Sequence, residues 1–212
     1  MFSRVINQHP DLDAVLLGAG IQRGIDFSKP ESIDLKSVQD ELTTNYISHV
    51  SLVKFLLPHL KSLSRSQPTA LIFITSGLAL LPMLRCGNYC ASKAAMHQLI
   101  MTMREQLRPH VKVIEILPAS VKTELHDEKN QPEIKNGREW GMPIDEFLIE
   151  AWLGLELGQE AIPVGMTQEA WDAFEGRRVA LFQGTMKQLR DPKYCGMTGE
   201  METWIGRNIS SE

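Results

Sequence analysis

The sequence predicts an α/β fold, a parallel sheet flanked by helices. Short apolar runs of strand length, bounded by Gly or Pro, are separated along the chain by longer stretches whose apolar residues recur at helical spacing. Size and composition agree. At 212 residues and 23.9 kDa the chain suits one domain with room for a core. Hydrophobic residues at 43% and charged residues at 23% are ordinary globular values, which excludes disordered and fibrous classes.

Val5 to His9 reads as the end of a helix, and Pro10-Asp11 turns the chain. Asp13 to Leu17 is a short buried strand running into Gly18-Ala19-Gly20. The glycines of GAGIQRG (Gly18, Gly20, Gly24) invite a pyrophosphate-loop reading. Such a loop must open directly into a helix whose N-terminus faces the anion. Here the chain continues through Pro30 with no helical periodicity until about Ser37, so that reading is set aside.

Glu41 to Leu60 carries a helical stripe of Leu42, Tyr46, Val50, Val53, Leu56, Leu57 and Leu60, expected to end near Pro58. Asn45 lies inside it. Asn is a mediocre helix former that competes for backbone bonds, so its place there asks for a reason. Lys61 to Pro68 reads as a loop and Ala70 to Ile74 as a buried strand ending at Thr75-Ser76-Gly77. Asn88 to Leu107 is a helix with Met96, Leu99, Ile100 and Met103 on its apolar side, and Pro109-His110 ends it. Val111 to Leu117 is the next strand. The polar, irregular stretch from His126 to Gly141 reads as a mobile loop over a substrate or a surface excursion. MPIDEFLIEAWLGLELGQ is an amphipathic helix with acidic residues in its first turn, and EAIPVGM a final short strand. Thr167 to Leu189 is a last helix interrupted near Gly176. The domain is expected to span 1–190, with 191–212 as a tail.

Several functions are excluded by what the sequence lacks. Net charge is -4 with basic residues scattered, which argues against a nucleic-acid partner. The first residues carry no signal-peptide apolar core, and the longest apolar run, broken by Thr75-Ser76-Gly77 and Pro82, falls short of the ~20 residues of a membrane helix. A cytoplasmic protein without membrane contact is the expectation. Cys86, Cys90 and Cys195 are odd in number and lack Cys-x-x-Cys spacing, so free thiols are expected rather than a disulfide or zinc. Asn208-Ile209-Ser210 matches a glycosylation acceptor, but without a secretion signal it carries no weight.

The chemistry-bearing stretch is Asn88-Tyr89-Cys90-Ala91-Ser92-Lys93, with Ser76 before it. Tyr89 and Lys93 lie one helical turn apart on the same face. A free phenol, with a pKa of about 10, is a poor acid or base at neutral pH. A cation beside it stabilises the phenolate, so Lys93 is expected to lower the Tyr89 pKa and enable proton transfer to a substrate oxygen. Ser76 stands at a strand end, where open α/β sheets place ligand chemistry. Tyr-x-x-x-Lys alone is a common pattern on solvated helices; its surroundings give it meaning.

ITSGLALLPMLRCGNYCASKAAMHQL resembles the active-site segment of the short-chain dehydrogenase/reductase family, and VKVIEILPASVKTEL resembles the segment after that family's next strand. The wording is most like the DltE-like oxidoreductases, and the likeness runs from about residue 10 to about residue 185. It implies a Rossmann-like, doubly wound parallel sheet of which this chain holds the equivalents of strands 4 to 7. The family's glycine-rich βαβ region, which binds pyrophosphate and selects the nucleotide, has no counterpart here. In the family strand order, Asp13 to Leu17 would then be an open sheet edge.

The resemblance further implies an oxidoreductase transferring hydride between NADP or NAD, with NADP preferred, and a small-molecule carbonyl/alcohol. Ser76 would bind the substrate oxygen, Tyr89 move its proton, Lys93 also hold the nicotinamide ribose, and Asn45 order a relay water. Gly18, Ala19 and Gly20 match the family's segment under the cofactor, although Leu17-Gly18 stands where Asn-Asn is usual. Val121 and Thr123 match the segment that holds the nicotinamide end. No metal is needed, since Ser76 and Tyr89 polarise the oxygen. The helix carrying Tyr89 pairs across dimers in the family, so its Met face is either core or the contact of a homo-oligomer. Two alternatives stay open: an inactive relative that acts as an interaction partner, and an isomerase reusing the same pair.

Overall fold

A computed structural model describes residues 2–190. By compactness the chain falls into two units, Met1–Trp171 and Asp172–Glu212. The expected tail 191–212, with Cys195 and the Asn208 acceptor, lies outside the described residues.

The first unit is built on a parallel sheet of β1 (Ala14–Leu17), β2 (Ala70–Ile74), β3 (Lys112–Pro118) and β4 (Ala161–Val164), in the order β1-β2-β3-β4. Each strand falls within two residues of its expected place, because a short apolar run between Gly and Pro signals is a local property. Pro163 fits β4, which is an edge among the described residues and so tolerates a missing backbone donor. At the other edge, among the described residues, β1 pairs only with β2, and Leu16 is 56% exposed, as expected of an open edge.

Helices cover both faces. On one face Leu71 and Phe73 of β2 pack with Leu56 and Leu60 of α3 (Ser48–Leu63) and with Met96 and Ile100 of α4 (Gly87–Leu107). On the other, Ile114 and Ile116 of β3 pack with Ala151 and Phe147 of α5 (Ile144–Glu156). Met96, Met101 and Met103 are 2%, 2% and 7% exposed. The Met face is therefore core, which decides between the two uses expected for it. A large apolar surface lies instead on α5, where Leu148, Ile149, Trp152 and Leu153 are exposed.

The N-terminal helix is α1 (Phe2–Gln8). Asp34 caps α2 (Leu35–Leu42) by accepting from the Lys36 amide at 3.0 Å, so this helix starts two residues before the expected periodicity. A π turn, Thr43–Ile47, joins α2 to α3. The expected stop near Pro58 is corrected: α3 runs through Pro58 to Leu63. A mid-helix proline costs a backbone bond. Here Leu56 and Leu60, on either side of it, are buried in the core and hold the helix straight through.

The stretch expected to be a mobile cover is irregular but anchored. Gln131 is fully buried and Ile134 only 2% exposed. Arg85 Nη2 donates to Gln131 Oε1 at 2.7 Å and to Gln22 Oε1 at 3.1 Å, while Arg85 Nη1 pairs with Glu133 at 2.7 Å. The base of the excursion is closed by Met142 N donating to Ser120 O at 2.9 Å and Lys122 N to Met142 O at 3.0 Å. Gly141, at φ 102°, permits that closure, since a Cβ would strike the Ser120 carbonyl. Tethering by buried amides is invisible in composition, which is why the stretch reads as free.

The short helix α6 (Thr167–Ala170) follows β4. In the second unit the described residues form α7 (Gly176–Leu189), with Arg178 paired to Glu175 at 2.7 Å. Among the described residues no helix is long and apolar enough to cross a membrane.

Candidate active site

Ser76 ends β2 in extended backbone and turns the chain: its Oγ accepts from the Leu78 amide at 3.1 Å. Its hydroxyl proton is thereby directed elsewhere, and the hydroxyl favours the charged form of the Tyr89 phenol. Gly77 is required beside it, because a Cβ would collide with the Thr167 hydroxyl. Tyr89 and Lys93 project from α4, with Lys93 Nζ 5.7 Å from the Tyr89 ring centroid. Lys93 Nζ also donates to the Ile74 carbonyl at 3.0 Å, which fixes it under the end of β2. Ser76, Tyr89 and Lys93 are 8%, 5% and 3% exposed and share the wall of one cavity of about 670 Å³.

The electrostatics differ from expectation. Burial pushes the Tyr89 phenol up, and the Ser76 hydroxyl only partly opposes it. Lys93 is pulled down to about 8 by burial, with the Glu115 carboxylate opposing. The expected lowering of Tyr89 by Lys93 is corrected on physical grounds: both groups are desolvated, and burying a phenolate costs more than its neighbours return. Tyr89 holds its proton at neutral pH, and Lys93 remains mostly a cation there.

Asn45 is fully buried in the π turn, and its amide is spent on a clamp. Oδ1 accepts from Ile21 N at 2.8 Å, while Nδ2 donates to Ile21 O at 2.9 Å and to Ser92 Oγ at 3.0 Å. The clamp holds this segment from the helix side. Gly18 and Gly20 line the cavity; Ala19 does not. A Cβ on Gly20 would sit 3.4 Å from Lys93 Nζ and 3.6 Å from Asn45 Oδ1, so the bare glycine leaves the ammonium approachable. Val121 and Thr123 line the opposite wall, with Thr123 Oγ1 capping a turn through the Leu125 amide at 3.4 Å.

Some neighbours of the site escaped the sequence reading. His49, 2% exposed, bonds the Asn45 carbonyl through Nδ1 at 3.0 Å. A carbonyl only accepts, so Nδ1 carries the proton; Nε2 has no hydrogen-bond partner. Burial lowers the His49 pKa and Lys93 lowers it further. The signal was present as a His four residues after Asn45. A second cluster is centred on Glu115, fully buried in β3. Thr75 Oγ1 donates to it at 2.7 Å, His97 Nδ1 lies 2.9 Å from both its oxygens, and Arg104 Nη2 is 3.7 Å away. A lone acid inside the apolar run VKVIEIL was the signal. Cys86 and Cys90 are free and buried, as expected, and burial raises the Cys86 thiol to about 12. Among the described residues no group of three or more His, Cys, Asp or Glu is arranged to hold a metal ion.

What the cavity can hold follows from its donors. An approachable ammonium, a threonine side chain and bare glycine backbone at the carboxyl ends of parallel strands fit the hydroxyls of a nicotinamide ribose. Among the described residues no glycine-rich loop opens directly into a helix, so the fit concerns that end of a dinucleotide.

Comparison with known proteins agrees with this geometry. A model described as short chain dehydrogenase matches residues 1–134. The oxidoreductase DltE of Bacillus subtilis (strain 168) is 31% identical over 184 residues, 86% of this chain and 71% of the relative. A short chain dehydrogenase from Burkholderia cenocepacia J2315, solved in complex with NADP, superposes with a TM-score of 0.68 at 25% identity, over 85% of this chain and 73% of that one. A short-chain dehydrogenase from Sphingobium yanoikuyae, solved with NADPH, shares the fold at 20% identity with a TM-score of 0.66, over 90% and 72% of the two chains.

Proposed function

The chain belongs to the short-chain dehydrogenase family, and from that premise we propose that it transfers hydride between NAD(P)(H) and a carbonyl/alcohol substrate. The observation that carries the reading is the gathering of buried Ser76, Tyr89 and Lys93 on the wall of one cavity. The bound nicotinamide supplies or accepts the hydride. The remaining work belongs to the chain. Ser76, whose oxygen is occupied by the Leu78 amide, donates its proton to the substrate oxygen and holds it beside Tyr89. Tyr89 then gives its phenolic proton to that oxygen as negative charge develops. Its raised pKa keeps the proton in place beforehand, which suits carbonyl reduction. Lys93 offsets the charge of the phenolate that remains and offers Nζ to the ribose hydroxyls past Gly20. Asn45 keeps Gly20 in position through Ile21.

Structural neighbours solved with NADP and NADPH support a nicotinamide nucleotide as the partner. Calorimetry of the 212-residue chain with NADPH and NADH, followed by nucleotide oxidation with a ketone, tests the reading. Saturable binding and consumption are expected. A chain that binds neither nucleotide is not this enzyme. A second reading, an interaction partner whose open edge pairs with another chain, is favoured by the exposed Leu16 on β1, and it predicts that null result.

A further inference from the structure

Much of the cavity lining is apolar and only partly covered. Leu81, Met83, Trp140, Ile144 and Met166 all line it and are 55%, 46%, 46%, 49% and 76% exposed. Large apolar side chains gathered around one opening are stabilised when an apolar body covers them, at roughly 25 cal/mol per Å².

One polar group on this wall is set by a chain of constraints. Arg85 can only donate, so the Gln131 atom 2.7 Å from its Nη2 must be Oε1. Gln131 Nε2 then donates to the Leu125 carbonyl at 2.6 Å and to Gln22 Oε1 at 3.1 Å, and also faces His126 Nδ1 at 3.2 Å. An amide nitrogen cannot accept, so a proton on Nδ1 would point at another donor, and the His126 proton is placed on Nε2. Burial, and then Arg85, lower the His126 pKa, so the ring is neutral. Within the protein, Nε2–H reaches only Ser120 Oγ, at 3.4 Å, and Ser120 itself donates to the Trp140 carbonyl at 3.3 Å. Both bonds lie beyond the usual 2.7–3.2 Å, leaving an oriented donor that is little used.

We propose that this cavity takes an uncharged, largely apolar carbonyl compound bearing a second neutral oxygen acceptor, such as an ester, which His126 Nε2–H binds. The proposal rests on the reading above and names the substrate class of the same site. The Arg85 charge is already met by Glu133 at 2.7 Å, so this wall offers no spare cation to a carboxylate. His126 sets specificity, and Gln131 and Arg85 position it.

The test is binding to the full chain without nucleotide, followed by calorimetry, using ethyl benzoylacetate, the benzoylacetate anion and hexyl phenyl ketone. The ester is expected to bind about tenfold tighter than the plain ketone, and the anion weakest, a difference on the scale of one hydrogen bond. His126→Phe should erase the ester's advantage. His126→Gln should keep much of it, because the Gln amide nitrogen can stand where Nε2 stood. Equal affinities in the wild type, an anion bound as tightly as the ester, no binding of any of the three, or an advantage surviving in His126→Phe each overturns the proposal. So does an imidazole nitrogen NMR signature showing Nδ1 protonated in the wild type, which needs no variant to fold. Because these affinities need no nucleotide, a failure of NADPH binding or turnover counts against the hydride-transfer reading alone.

Discussion

Asn45 grips both peptide groups of Ile21, accepting from its N–H at 2.8 Å and donating to its C=O at 2.9 Å. A single amide thus ties the helix side of the site to the segment leading from β1. Asn45→Ala should cost about 2 kcal/mol of stability, because two half-buried backbone groups and the Ser92 hydroxyl lose a partner. Nucleotide affinity should fall with it, since Gly20 is no longer held against Lys93. Urea unfolding and calorimetry on the same variant measure both.

Tyr89→Phe removes the proposed proton donor and little else. Turnover is expected to drop by about three orders of magnitude while unfolding free energy shifts by no more than about 1 kcal/mol. Nucleotide oxidation that persists in this variant would move the proton donor to another residue.

Reduction should depend on pH through Lys93. Its cationic form prevails below about 8 and is lost above that value. Tyr89, raised by burial, keeps its proton through the same range. The kcat/KM for carbonyl reduction should therefore be level at lower pH and fall about tenfold per pH unit above about 8. A profile level to pH 10 would dispense with the Lys93 charge.

Lys93 also makes stability depend on pH. Its pKa is about 8 in the folded protein against an ordinary 10.5. Between those values the unfolded chain binds the extra proton, so raising pH stabilises the fold. Lys93→Met should be more stable than the wild type at pH 7, by on the order of 3 kcal/mol. That advantage should shrink as pH rises from about 8 towards 10.5. Denaturant titrations at two pH values suffice, and a widening gap would contradict it.

Glu115 neutralises a buried environment that includes Arg104, 5% exposed and 3.7 Å away. Glu115→Leu should destabilise by about 3–5 kcal/mol, the usual cost of leaving a buried charge without its counter-charge. Glu115→Gln can still accept from Thr75 and should cost less. Thermal unfolding of the two variants ranks them; equal midpoints would show that the carboxylate charge is not what the site needs.

The sequence by itself determined the strands, the order of helices between them, and the grouping of Ser76, Tyr89 and Lys93. Those features are local. An apolar run marks a strand, a spacing of four marks one helix face, and a strand end marks where ligands are met. Tertiary structure alone decided what lay across the chain. It carried α3 through Pro58, spent the Asn45 amide on Ile21, and placed His49 on the Asn45 carbonyl. It tied the 126–141 stretch down through Arg85 and Gln131 and buried the Met face of α4. It also reversed the expected direction for Tyr89. The physical reason is the same throughout. Burial and the choice of hydrogen-bond partner depend on residues brought near by folding, and spacing along the chain carries no record of how far a group is removed from water.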